Sequence, residues 1–315
     1  MSSNQVVYGM AMRNFVAYPE LPDPAALIER GVWLEDLGFE SVWVWDHILL
    51  GVEPHFPIIE SLSLLTALAV KTSTIKLGTG VLILPLRNPV ILAKQLSSMD
   101  VISGGRLLLG LASGWYKREF DAVGIDFHQR GKIMDQNLDI LESLWTQDQT
   151  TAEYPPHHLR SAVMFPKPQQ HPRPPILIGG YADRVLKRAA IRSDGWLTYC
   201  YTAESYAQDK ARIIQLAEDA GRDPGSLSFT NQLPIVIGPR EKVERPMMEW
   251  LNTEWDFASW SKSTADSAII GTLEECAEQL QTHLDKGLDR LVFMPYRYQD
   301  DQVEMIAKDL IPLLV

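Results

Sequence analysis

Short apolar runs recur along the chain, and most of them lack polar alternation. Residues 41–45 read SVWVW, and residues 107–111 read LLLGL. Strands that are buried on both faces, as in a parallel sheet, have this continuous apolar pattern. The pattern predicts eight strands, at residues 6–12, 41–45, 75–79, 107–111, 176–178, 195–198, 227–237 and 291–294.

Segments with helical spacing separate these strands. In residues 132–145, an apolar stripe recurs every three to four positions, and residues 272–275 read TLEE, a capping box at the start of a helix. Strands that alternate with helices over 315 residues predict an α/β fold, a (β/α)8 TIM barrel with insertion loops. A doubly wound open sheet is the alternative, but GMAM stands where its glycine-rich phosphate fingerprint would follow the first strand.

We expect one barrel domain over residues 1–315, interrupted by two long loops. The loop 146–175 is rich in proline and polar residues, whereas the loop 239–270 carries Trp250, Trp255 and Trp260. Loops of this length in a compact domain often serve function, so the second loop is expected to help to cover a substrate.

Composition excludes several classes of protein. The net charge of -11 argues against a nucleic-acid partner, and no apolar run reaches the roughly 18 residues of a membrane span. The N-terminal residues lack the pattern of a secretory signal. Cys200 and Cys276 are far apart and not in metal-binding spacing, so we expect free thiols, no metal site and a cytoplasmic protein.

The candidate chemistry lies where the predicted strands end, because barrel enzymes place their active sites at the carboxyl ends of the strands. Asp46 and His47 follow the second strand, and small residues follow the third, fourth and fifth strands. Glycine allows a backbone to approach a ligand closely, and amides that precede a helix favour a phosphate. These turns therefore predict a site for a flat, phosphate-bearing cofactor.

The same residues resemble the luciferase-like monooxygenase family, whose members are flavin and deazaflavin enzymes on a (β/α)8 barrel. The similar stretches are VWVWDH (42–47), GTGVLILPLRNPVILAKQLSSMD (78–100), GRLLLGLASGWYKREFDAVGIDFHQRG (105–131), PPILIGG (174–180) and DGW (194–196). They occur in order and extend over nearly the whole chain.

The resemblance implies a role for each candidate position. It makes His47 the catalytic residue, which would hydrogen-bond or transfer a proton beside the redox ring, and it gives Trp115 and Trp45 the walls of the substrate pocket. It also implies a non-prolyl cis peptide under the ring around Gly80-Val81. The implied cofactor-binding residues are Asp46, Gly80, Val81, Ala112, Ser113, Gly114, Gly179 and Gly180.

The resemblance also bears on the cofactor and the substrate. GLASGWYKREF and FHQRG are more similar to the branch that uses the deazaflavin coenzyme F420, so we expect F420, with FMN as the alternative. The acidic tail of F420 needs cations, for which Arg87, Lys117, Arg118 and Arg184 are candidates. Trp115 stands where sugar-phosphate dehydrogenases of the family have a catalytic carboxylate, which favours a less polar or planar substrate.

The sequence thus predicts an F420-dependent oxidoreductase that transfers a hydride to or from a small organic substrate, and the resemblance implies a homodimer. An FMN-dependent monooxygenase is the alternative. A cofactor-binding protein without turnover is a further possibility. An α/β hydrolase is disfavoured, because Ser113 lies one position too late between Gly110 and Gly114 for the G-x-S-x-G elbow.

Overall fold

The computed structural model describes residues 6–51, 55–254 and 265–314. The strands within these residues are β1 (Val7–Met12), β2 (Ser41–Val44), β3 (Lys76–Ile83), β4 (Leu107–Ala112), β5 (Thr150–Tyr154), β6 (His157–Ala162), β7 (Ile176–Gly179), β8 (Gly195–Tyr199), β9 (Ser228–Ile237), β10 (Ile269–Gly271) and β11 (Arg290–Pro295). All eight predicted strands are present, with β3 extending four residues further than its pattern indicated.

Eight of the strands form a closed parallel barrel. Their order is β9-β11-β1-β2-β3-β4-β7-β8, and β8 pairs with β9 to complete the ring. The register is parallel where the chain returns to its start, with Tyr8 opposite Leu291 and Met10 opposite Phe293. β10 pairs in parallel with the carboxyl end of β9, at residues 235–237, and β5 and β6 form a separate antiparallel hairpin. The predicted (β/α)8 barrel is confirmed.

Helices connect the barrel strands. They are α1 (Pro24–Asp36), α2 (Ser61–Lys71), α3 (Pro89–Ser103), α4 (Lys117–Ala122), α5 (Arg130–Thr146), α6 (Asp183–Arg192), α7 (Ala203–Asp219), α8 (Arg240–Glu254), α9 (Leu273–Leu284) and α10 (Asp300–Met305). The predicted stripe of α5 (Met134, Leu138, Leu141 and Trp145) is buried, and Thr272 and Glu275 form the predicted capping box at α9.

The two expected long loops contain regular structure. Residues 146–175 include the β5–β6 hairpin, and residues 240–254 form α8. Met247, Trp250 and Leu251 are buried at the spacing of one helical face, and this apolar period outweighs the internal Pro246. The long loop expected at residues 239–270 therefore contains α8, whereas Trp255 and Trp260 lie outside the described residues.

The chain comprises two compact units. The central unit consists of residues 14–28 and 44–176, and the terminal unit consists of residues 1–13, 29–43 and 177–315. Of the predicted site residues, only Gly179 and Gly180 belong to the terminal unit. Among the residues that the structure describes, no helix combines the length and the apolar character needed to cross a membrane.

Candidate functional site

Asp46 follows β2, and the protein itself engages its carboxylate. Each oxygen accepts a hydrogen bond from Arg87 at 2.7 Å, and the Ser61 hydroxyl and the Ile83 amide each donate one more at 2.8 Å. Asp46 is buried, and a buried charge requires such a partner. Asp46 thus ties the end of β2 to the segment that follows β3, while its expected place beside a cofactor stays a prediction.

The end of β3 has an irregular backbone. The Gly80–Val81 peptide bond is cis, which confirms the non-prolyl cis peptide implied by the resemblance. The register between β3 and β4 shifts between Thr79 and Leu82, so a bulge accompanies this bond. Ile83, just after the bulge, donates its amide to Asp46. The turn after β2 and the last residue of β3 are therefore joined by a buried hydrogen bond.

Gly114 lies in the turn after β4 and has a packing reason to be glycine. Its φ of +78° is unfavourable for other residues, and an added Cβ would lie 2.7 Å from Cγ2 of Ile83 and 2.9 Å from Cζ of Phe120. The Gly114 carbonyl accepts a hydrogen bond from Nε of Arg130 at 3.1 Å. The chain itself needs a small residue here, whereas cofactor contacts of Ala112, Ser113 and Gly114 stay predictions.

His47 is held by Glu119, a residue that the sequence motifs did not single out. Nδ1 of His47 lies 2.9 Å from Oε2 of Glu119, and Oε1 accepts hydrogen bonds from the backbone amides of Ile48 and Leu49. An ionised carboxylate only accepts hydrogen bonds, so Nδ1 is the nitrogen that carries the proton here. Nε2 makes no hydrogen bond to a described residue and is the nitrogen left for a ligand.

Glu119 is fully buried in α4. Burial alone would raise the pKa of its carboxyl group, but the hydrogen bond and charge of His47 and the amides of Leu49 and Ile48 outweigh it. The pKa of Glu119 therefore lies below its ordinary value, and the carboxylate is ionised at neutral pH. An ionised Glu119 fixes the orientation of the imidazole.

Two aromatic side chains stand beside His47. The ring of Trp115 lies edge-on at 6.0 Å from the imidazole and the ring of Tyr116 at 6.4 Å, measured between centroids. Trp115 is 47% exposed, which suits a wall of an open pocket more than a core position. Its predicted contact with substrate remains a prediction, but the structure does place it next to His47.

Trp45, by contrast, is buried. Its backbone is fastened to Asn14, whose side-chain amide accepts from the Trp45 amide at 3.1 Å and donates to the Trp45 carbonyl at 2.9 Å. Asn14 also donates to the carbonyl of Ile59 at 2.7 Å. These three hydrogen bonds of Asn14 fix the backbone immediately before Asp46 and His47.

In the terminal unit, Gly179 ends β7 and Gly180 precedes α6. Gly180 has a φ of +119°, and an added Cβ would lie 3.3 Å from Val185. The Gly180 carbonyl accepts a hydrogen bond from Nε1 of the buried Trp196 at 2.7 Å. The backbone conformation therefore requires glycine at position 180, and its predicted phosphate contact is not tested by this geometry.

The four candidate cations differ in availability. Arg87 is bound to Asp46 and Glu60, and Lys117 forms an exposed pair with Asp121. Arg118 and Arg184 are exposed and have no ion pair with a described residue. Only these last two present an uncommitted charge to an anionic ligand.

A family model with the description luciferase-like monooxygenase matches residues 7–290. The chain belongs to this family.

Curated relatives of this luciferase-like protein differ in their cofactors. An F420-dependent glucose-6-phosphate dehydrogenase of Amycolatopsis mediterranei is 25% identical over 317 residues, which cover 92% of this chain and 95% of the relative. An FMNH2-dependent dimethylsulfone monooxygenase of Pseudomonas putida is 24% identical over 289 residues, which cover 81% of this chain and 78% of the relative.

An uncharacterized protein of Mycobacterium tuberculosis is 34% identical over 166 residues, 53% of this chain. The match spans little more than half, 57%, of that relative's length. Among solved structures, an F420-dependent secondary alcohol dehydrogenase in complex with an F420–acetone adduct superposes with a TM-score of 0.85 at 16% identity, over 99% of both chains. This likeness shows a shared barrel fold.

The sequence reasoning on this luciferase-like chain missed two groups of residues. Glu119 lies among the charged residues of α4. Only its position next to the apolar Phe120 could have indicated that its side chain is buried. Thr230, Asn231 and Gln232 form a polar interruption of the otherwise apolar β9, and all three are buried. Thr230 and Gln232 have side-chain atoms without a hydrogen-bond partner among the described residues.

Proposed function

We propose that this protein is an oxidoreductase that binds coenzyme F420 and transfers a hydride to or from a small organic substrate. The observation that carries the proposal is His47, whose Nδ1 is held by the buried Glu119 and whose Nε2 has no hydrogen-bond partner among the described residues. A histidine fixed in this way can give or take a proton at one defined atom. This proton transfer would accompany the transfer of the hydride.

The residues of the chain fit a deazaflavin or a flavin. The turns after β2, β3 and β4 are rigidly joined through Asp46, Ile83 and Gly114, so they present a preorganised backbone surface. In the terminal unit, Gln232 has a buried amide donor and acceptor without a partner among the described residues, which suits the polar edge of a heterocycle. The bound cofactor would supply the hydride.

Each part of the chain has a separate task in this proposal. Glu119 holds the imidazole of His47, so that Nε2 hydrogen-bonds the substrate atom that gains or loses a proton. Trp115 and Tyr116 stand beside that atom and reduce the access of water. Support for F420 comes from the resemblance of residues 105–131 and from the dehydrogenase relative that matches over nearly its full length.

The alternative is an FMN-dependent monooxygenase, which the dimethylsulfone monooxygenase relative favours. The two cofactors differ in chemistry, since reduced FMN activates oxygen whereas the reduced deazaflavin donates a hydride and reacts poorly with oxygen. The same turns and the same histidine would serve either cofactor.

Fluorescence titration of the purified protein with F420 and with FMN tests the proposal. We expect saturable binding of F420, and weaker binding of FMN. Saturable binding of FMN alone, together with substrate-dependent oxygen consumption, would replace F420 by the alternative. Binding of neither cofactor would refute both.

The His47→Ala variant tests the proposed role of His47 in proton transfer. We expect turnover to fall by about 10²- to 10⁴-fold, the usual contribution of a general acid or base, while cofactor affinity changes little. Glu119→Gln should retain His47 but change the pH dependence of turnover, because the amide cannot stabilise a protonated imidazole as a carboxylate does. An unchanged rate in His47→Ala would remove the catalytic role of this residue.

A further inference from the structure

A cavity of about 350 Å³ opens in the central unit beside the candidate site. Among the described residues, the segments 48–51 and 55–58 line it together with Tyr116 and Arg118. The first two segments follow β2, and the other two residues follow β4. The cavity is therefore built from the loops at the carboxyl ends of β2 and β4, the two strands that flank β3. Substrates of barrel enzymes bind at this end of the strands.

The cavity lies next to His47, because its wall and His47 bind the same carboxylate. The amides of Ile48 and Leu49, which belong to its wall, donate to the same Glu119 carboxylate that holds Nδ1 of His47. Tyr116 belongs to the wall and also lies 6.4 Å from the imidazole, between ring centroids. A ligand in the cavity would thus lie next to the proposed proton-transferring side chain.

Most of the wall is apolar and accessible. Ile48 is 42% exposed and Leu49 is 49% exposed, and the neighbouring Trp115 is 47% exposed. Large apolar side chains that cluster at the surface beside a cavity mark a binding surface for an apolar ligand. Phe56, Pro57 and Ile58 extend the apolar lining on the other side.

The described residues of the lining carry charge of a single sign. Arg118 is the one permanently charged residue among the described lining residues, and no acidic residue accompanies it there. No hydrogen bond or ion pair joins Arg118 to another described residue. Its neighbours in α4 are committed elsewhere, since Lys117 pairs with Asp121 and Glu119 binds His47. Among the described residues, none neutralises the Arg118 guanidinium, which is therefore available to an anionic ligand.

We propose that this cavity is the substrate site and that it takes an apolar organic acid. The apolar body contacts Ile48, Leu49 and Phe56, and a carboxylate or sulfonate binds Arg118. Only the word substrate depends on the proposed function. The apolar lining of the cavity and the charge of Arg118 do not require a bound cofactor.

The charge requirement is tested with ten-carbon probes below their micelle concentrations. Binding of decanoate, decanol and decyltrimethylammonium to the cofactor-free protein is followed by tryptophan fluorescence and calorimetry. We expect decanoate to bind about tenfold more tightly than decanol, as one charge-assisted hydrogen bond provides, and decyltrimethylammonium to bind most weakly. Equal binding of all three probes would overturn the inference.

Arg118→Met removes the cation while keeping an apolar stem of similar length. We expect decanoate affinity to fall to that of decanol, with decanol binding unchanged, and Arg118→Lys to restore part of the difference. Arg245→Met is the matched control, because Arg245 is an 88% exposed arginine outside the cavity, paired with Glu249. Circular dichroism of each variant verifies the fold. If decanoate binding persists unchanged in Arg118→Met, the proposal fails.

Titration of the same variants with F420 separates the two hypotheses. We expect F420 affinity to be the same in Arg118→Met and in the unaltered protein. Weakened F420 binding together with unchanged decanoate binding would assign Arg118 to the acidic tail of the cofactor and would overturn the acid site alone. Selective decanoate binding by a protein that binds neither F420 nor FMN would refute the proposed function and leave the acid site standing.

Discussion

Two buried polar groups, one in each unit, differ in their hydrogen bonding: the carboxylates of Asp46 and Glu119, and the polar run of β9. In the central unit, the carboxylate of Asp46 accepts four hydrogen bonds and that of Glu119 accepts three. In the terminal unit, Thr230 Oγ1 and both amide atoms of Gln232 are buried on β9 without a partner among the described residues. Paired groups hold the protein's own geometry, whereas unpaired groups cost free energy until a ligand or water binds them.

Thr230 and Gln232 share one face of β9, whereas Asn231, whose Oδ1 is also unpaired among the described residues, lies on the other. Phe229 contacts Lys210 of α7, with 4.8 Å between the ammonium and the ring centroid, so Phe229 points toward the surrounding helices. Successive side chains of a strand alternate between its two faces, so Thr230 points away from the helix layer and Gln232 shares its face. The unpaired side chains of β9 therefore indicate groups that bind a ligand. The hydrogen-bonded carboxylate of Asp46 instead holds the protein's own backbone in place.

Removing the buried charge of Asp46 should have the largest effect on stability. Asp46→Ala leaves the Arg87 guanidinium without its bidentate partner and the Ile83 amide without an acceptor, so we expect the free energy of unfolding to fall by about 3–5 kcal/mol. Urea unfolding measures this loss. Glu60→Gln is the control, because Glu60 is a 45% exposed partner of the same arginine and should cost roughly 1 kcal/mol or less. Equal losses in both variants would show that Asp46 is no more structural than Glu60.

His283 extends the comparison to acid stability. It lies buried in α9 with Nδ1 unpaired among the described residues, and burial lowers its pKa from 6.5 to about 4, against the opposing charge of Glu204. The unfolded chain therefore takes up this proton at a higher pH than the folded protein does. Stability should fall by about 3 kcal/mol as the pH drops from 6.5 to 4.

The His283→Leu variant should lose that part of the pH dependence. Urea unfolding at pH 7, 6, 5 and 4.5 gives the slope for the variant and for the unaltered protein. The slope is the informative quantity, because it does not depend on how well leucine packs at pH 7. Identical slopes would mean that His283 is not the group that titrates.

Local patterns could predict the strands, α5 and the cap of α9 because each depends on neighbours in sequence. The cis peptide at Gly80–Val81 followed from resemblance. The partner of a buried charge is different in kind, since Arg87 is 41 residues from Asp46 and Glu119 is 72 residues from His47. Periodicity carries no information on such pairs, and α4 is too short to show which of its charged residues points inward.

The smallest effect concerns two glutamines that differ only in their partners. The side-chain amide of Gln302 in α10 accepts from the Ile237 amide at 2.8 Å and donates to the Ile237 carbonyl at 3.1 Å, whereas the side-chain amide of Gln232 bonds to no described residue. Gln302→Met should therefore cost about 2 kcal/mol, since it leaves two buried backbone groups unpaired. Gln232→Met removes an unpaired amide and keeps its shape, so stability should stay level or rise by about 1 kcal/mol. Cofactor affinity should fall in Gln232→Met and not in Gln302→Met. A large loss of stability in Gln232→Met would show that its amide stabilises the protein itself and would end the contrast between β9 and the hydrogen-bonded carboxylates of Asp46 and Glu119.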